Sequence, residues 1–259
     1  MELSFAQVFE GIAISFNTII MWVVSIAILR RYQETKYLPA LLVASGFLVL
    51  GFIFAPITLF SVIAIQLRPD LEMTAAWARI IEILHNNAFI IGLFLFAVFT
   101  RQVFRPGQRS SLFLLILIGI LLFGSKDLIL IFEAKGGVVQ WNARFEVRLM
   151  YAIGNSLNFG WLAYESLSRW RAYRKQLKGG KELNLLVINR FLLWGLAGLS
   201  YAISSLVTIL NVPYAMVQPL FPSITKAIFI LAFAIFSYLS WSPPGWFKQI
   251  INKGKPAQA

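Results

Sequence analysis

Ala75-Ala-Trp-Ala-Arg79-Ile-Ile-Glu82-Ile-Leu-His85-Asn86-Asn87-Ala-Phe89 opens an apolar run that continues to Phe99. At about 100° per residue, Arg79, Glu82, His85 and Asn86 share one face of a helix, with Asn87 at its edge. The residues around them suit a helix buried in protein or lipid. Ionisable groups are costly there unless they face a bundle interior or a watery cavity, so this face is a candidate functional site.

The rest of the composition agrees with that setting. Of 259 residues, 59% are hydrophobic and 13% charged, against roughly 25% charged in a typical soluble domain. The chain reads as an integral membrane protein. Its net charge of +12 does not make it a nucleic-acid binder, because charges on a membrane protein are sorted by side. Cysteine is absent, which excludes disulfides, thiolate metal sites and a cysteine nucleophile. Met1-Glu2-Leu3-Ser4 lacks the basic start and small-residue cleavage site of a signal peptide, so the first apolar run is expected to remain in the mature protein.

Seven apolar runs approach the ~20 residues a helix needs to cross a bilayer: 5–28, 38–65, 75–99, 112–132, 145–167, 187–210 and 220–241. They are too long and too unalternating for barrel strands. The expected fold is all-α, one seven-transmembrane-helix bundle over 1–241, followed by a basic tail, 242–259. Arginines and lysines crowd the connections after spans one, three and five and the tail. The positive-inside rule then puts the N-terminus outside and the C-terminus in the cytoplasm of a multi-pass cell-membrane protein, such as one of a bacterial inner membrane. No connection is long enough for the ~50–250 residues of an enzymatic domain. Gly179-Gly180 lies in the basic stretch Arg169–Lys181 without the strand or Lys-Ser/Thr of a phosphate loop.

Small residues should bring helices close: Ala152, Ser156 and Gly160 on span five, Gly198 and Ala202 on span six. Pro56 should kink span two. At ~1.5 Å per residue, Glu82 and Lys226 each lie about 10 Å beneath the outer boundary. Asp127 and Glu10 fall in the same layer. A charge there needs a partner, so Lys226 is expected to pair with Glu82 or Asp127. An architectural account is that Lys226, soon after Pro219 and Pro222, snorkels to the interface while Glu82 pairs with Arg79 one turn away. His85, the only histidine, reads as a hydrogen-bonded interior residue or a proton acceptor. Glu165 and Arg190, at matching depth on spans five and six, are expected to form an ion pair.

In span number, orientation and length the chain resembles the microbial rhodopsins, with Lys226 where that family carries its Schiff-base lysine, Glu82 at the counterion and Arg79 one turn before it. That resemblance implies a retinal cofactor. Ile83 and Pro222 differ from the aromatic and the acid expected beside the counterion and lysine. The stretch Tyr238-Leu-Ser-Trp-Ser-Pro243-Pro244-Gly-Trp246-Phe-Lys248 is similar to the end of the seven-helix sensory regions of bacterial histidine kinases. That likeness implies a sensor acting through a partner.

The function expected from the sequence is a non-enzymatic receptor- or sensor-like protein of the lipid bilayer. Its polar pocket would be lined by Arg79, Glu82, His85, Asn86, Asp127 and Lys226, and a cytoplasmic partner would read Arg169–Lys181. The alternatives are a retinal photosensor or light-driven ion pump, a solute or proton transporter, and a structural subunit of a membrane complex.

Overall fold

The computed structural model describes residues 5–54, 76–134, 145–210 and 220–253. Among the described residues every regular element is helical. The elements are α1 (Phe5–Thr35), α2 (Leu38–Leu48), α3 (Ala76–Phe104), α4 (Arg109–Ala134), α5 (Phe145–Lys178), α6 (Leu185–Val207), α7 (Leu220–Trp241) and α8 (Gly245–Lys253). Each of α1 to α7 packs on its chain neighbour, α7 closes back on α1, and α3 also lies against α5. Among the described residues, four stretches are long and apolar enough to cross a membrane: Gly11–Thr35, Asn86–Phe104, Leu185–Val207 and Leu220–Trp241.

The ring closes around aromatic side chains. Phe47 of α2, Phe96 of α3, Phe159 of α5 and Phe233 of α7 are all almost fully buried. Their rings sit 5.0 Å apart for Phe47–Phe96, 5.4 Å for Phe96–Phe159 and 5.8 Å for Phe159–Phe233, in the tilted and edge-on arrangements that aromatic quadrupoles favour. The outward faces are apolar too. Ile12, Ile19 and Ile26 on α1, and Phe113, Ile116 and Ile120 on α4, are exposed. A helix that is hydrophobic all round belongs in a core or a membrane.

Helix contacts explain where small residues stand. A Cβ added at Gly198 of α6 would come within 2.8 Å of the Phe159 carbonyl oxygen and 3.1 Å of the Ala163 backbone nitrogen, both on α5. That pair of backbones approaches closely, as expected. Gly160 behaves otherwise: a Cβ there would meet nothing within 4 Å. The expected packing role at Gly160 is therefore corrected, while the one expected at Gly198 holds.

Helix α2 passes directly into a π-helical turn, Val49–Phe54. Pro56, expected to kink this span, lies outside the described residues. The Gly51 carbonyl is satisfied from another helix, by Trp22 Nε1 of α1 at 2.7 Å.

Two segments rich in basic residues differ from the sequence reading. The basic stretch expected as the loop Arg169–Lys181 is helical as far as Lys178, a continuation of α5. It ends where Gly180 takes a positive φ of 83°, with Gly180 N–H donating to Leu177 O and Lys181 N–H to Gln176 O, a Schellman stop. The tail is not all irregular either, since α8 forms just after Pro243-Pro244.

Candidate functional site

Of the residues expected to line the outer pocket, the structure describes two side chains. Asn86 on α3 is buried at 7% exposure, and Lys226 on α7 is half-buried, four residues after the buried Pro222. Arg79, Glu82 and His85 fall on α3 and Asp127 on α4, but their side chains lie outside the described residues, as does that of Glu10. The expected pairing of Lys226 with Glu82 or Asp127 therefore rests on side chains outside the described set.

Inward of that layer, a polar seam runs between α5 and α6. Asn155 Nδ2 donates to Ser205 Oγ at 2.6 Å and contacts the Tyr151 hydroxyl at 3.2 Å. Ser205 Oγ in turn donates to the Tyr201 carbonyl at 2.9 Å. One turn along, Ser156 Oγ donates to the Ala202 carbonyl at 3.0 Å. On the same side of α5, Asn158 Nδ2 donates to the Leu93 carbonyl of α3 at 2.7 Å. Asn155 and Asn158 are fully buried, and each keeps a side-chain oxygen, Oδ1, that accepts from no described group. Buried acceptors left open are rare, because each forfeits its hydration. Among the described residues the seam is thus only partly satisfied.

The sequence carried a signal for this seam. Asn155 and Asn158 are three apart, hence on one helix face, and amides are out of place in a span unless they face the bundle interior. Their effect on the apolarity of span five was visible; the pairing across to Ser205 required knowing which face α6 presents.

At the end of the bundle away from the expected pocket, the connection between α3 and α4 is clamped to α5. Arg105 Nε donates to Glu165 Oε1 at 2.7 Å, and Trp161 Nε1 donates to the same oxygen at 3.3 Å. The Arg105 guanidinium is held above its ordinary pKa by this hydrogen bond first and by the carboxylate's charge second, so it stays charged at any physiological pH. Arg105 Nη1 also reaches Gln108 Oε1 at 3.4 Å, and Ser111 Oγ donates to the Arg105 carbonyl at 3.1 Å.

This clamp corrects the expected Glu165–Arg190 pair. Arg190 Nε instead donates to the Ser240 carbonyl of α7 at 2.9 Å, and its guanidinium lies 5.7 Å from the Trp241 ring centre. Counting residues gives depth but not direction around the helix. Glu165 faces the α3–α4 connection, whereas Arg190 faces the end of α7. Comparison with protein-family models, with curated proteins and with solved structures gives no match.

Proposed function

We propose that the chain is a non-enzymatic seven-helix sensor or receptor of a cell membrane, with its N-terminus outside and its C-terminus in the cytoplasm. A ligand or proton taken up in the outer half of the bundle shifts the packing of α5 against α6. A cytoplasmic partner reads the shift at the basic end of α5. The observation that carries this reading is the half-satisfied seam of Asn155, Ser205 and Ser156. Two helices joined by a few polar bonds in an apolar bundle can exchange one hydrogen-bond arrangement for another, and a ligand biases the exchange by its different affinity for the two. Helix α5 has the reach to report it. Its 34 residues span about 51 Å, well beyond the ~30 Å of a hydrocarbon core. The protruding end carries Arg169, Arg171, Arg174, Lys175 and Lys178.

The test uses paired spin labels at Gln108→Cys and Gln176→Cys, which flank the Arg105–Glu165 clamp in a chain without native cysteine. Glu82→Gln, a mimic of protonation in the outer layer, is expected to redistribute the label-to-label distances. An identical distribution with and without Glu82→Gln would remove the outer layer from the mechanism. The retinal alternative is separated by an absorption spectrum. A red-shifted band on adding all-trans-retinal, lost in Lys226→Ala, would replace a diffusible ligand with a chromophore.

A further inference from the structure

The inner ends of α1, α6 and α7 together with α8 surround a half-open cavity of about 260 Å³. Arg31, Arg190 and Lys248 all line it, and among the described residues no carboxylate does. Three cations around one small space repel one another, an arrangement favourable only when an anion or bulk water lies between them. Arg190 is partly withdrawn from water. Its Nε is taken by the Ser240 carbonyl and its flat face by Trp241. Those two contacts alone would suit a structural arginine at a helix C-terminus. They also hold the guanidinium through its Nε and its flat face, while Arg190 and Asn189 both line the cavity. A guanidinium held in this way is pre-organised for the forked recognition of a phosphate.

Helix α8 gives the cavity its level. Trp246 and Ile250, four residues apart, are exposed at 58% and 61%, while Phe247 and Ile251 line the cavity. A short helix with one outward apolar face, starting just after a long apolar helix ends, suits the plane of the bilayer interface. Tryptophans favour the same level. The volume corresponds to about eight or nine waters of liquid, enough for a phosphate with its attached polar group and too little for acyl chains.

We propose that this cavity binds a phosphate-bearing anion, with Arg190 as the anchoring donor and Arg31 and Lys248 as flanking charges. Its level assigns the headgroup of an anionic phospholipid as the natural source, and free phosphate is the other source of the same chemistry. The site stands on its own geometry, independent of the sensor reading. Basic pockets at helix ends are the setting in which membrane proteins take specific headgroups.

Native mass spectrometry of the detergent-purified full chain, titrated separately with phosphatidylglycerol, phosphatidylcholine and inorganic phosphate, tests it. One tightly held phosphatidylglycerol is expected. Arg31→Gln with Lys248→Gln, both at exposed positions, should weaken it roughly 30-fold, about fivefold for each charge. The charge-matched control Arg171→Gln with Lys175→Gln, on the exposed end of α5, should stay within about twofold. Binding of inorganic phosphate but not lipid, lost in the same double variant, would keep the anion site and assign it to the free ion. Equal weakening by the two double variants, or no binding of either anion, overturns the proposal. Arg190→Lys, which keeps the charge and loses the fork, should also weaken binding; if it misfolds, the Arg31 and Lys248 arm still decides.

Discussion

The carboxylate of Glu165 is 5% exposed as a residue, whereas the side chain of its partner Arg105 is 39% exposed. That asymmetry makes the two halves of the clamp unequal. Arg105→Ala leaves a buried carboxylate with only the long hydrogen bond from Trp161. Breaking a fully buried pair in this way costs about 3–5 kcal/mol, and the exposure of Arg105 reduces the expected loss to about 1–3 kcal/mol. Glu165→Gln keeps the shape, leaves no buried charge, and lets Arg105 turn to water, so it should cost about 1 kcal/mol or less. Thermal unfolding in one detergent measures both. Equal losses, or a larger loss for Glu165→Gln, would mean that the carboxylate is not desolvated. The clamp was only half legible: Glu165 stood out as a carboxylate in an apolar span, but depth alone paired it with Arg190, which bonds Ser240 instead.

At the scale of elements, the π turn of residues 49–54 is tied to α1 by the Trp22 indole, which donates to the Gly51 carbonyl. If the Gly51 carbonyl lacks a donor because residue 56 is a proline, Trp22 Nε1 matters most while that proline is present. Trp22→Phe should therefore cost about 1–2 kcal/mol in the native background, the penalty of an unsatisfied buried acceptor. In a Pro56→Ala background, where residue 56 again has an N–H, the same change should cost less, and the difference is the coupling energy. Denaturation midpoints of the four proteins supply the cycle, and strict additivity would show that Trp22 and Pro56 act independently. The kink expected at Pro56 lies outside the described residues. The contact from α1 was not legible in the sequence, because it depends on Trp22 lying against Gly51, where a Cβ would come within 2.8 Å of the indole. Helix α5 teaches the same lesson at its other end, where charged residues read as a loop propagate the helix to Gly179-Gly180.

For the whole molecule, the proposed seven crossings turn on α5, whose buried amides and basic end make it less apolar than its neighbours. Single cysteines in the cysteine-free chain give the test. With a membrane-impermeant thiol reagent on intact cells, Gln66→Cys and Gln140→Cys should label. Gln108→Cys and Gln176→Cys should label only after permeabilisation. Labelling of Gln140→Cys and Gln176→Cys from the same side would mean that α5 does not cross, reducing the count and inverting the ends that follow.

What the sequence determined by itself was the helical class and the apolar character of the helices' outer faces. These follow from local composition, because an apolar run in lipid must satisfy its backbone within its own helix. Tertiary structure alone decided that α5 and α6 meet at Gly198 rather than Gly160, and that Asn155 reaches Ser205. It also set Glu165 against Arg105, and Arg190 with Arg31 and Lys248 around one cavity. Each of those depends on the azimuth at which a helix faces its neighbours, and azimuth is set by packing across the ring, not by the order of residues along any one helix.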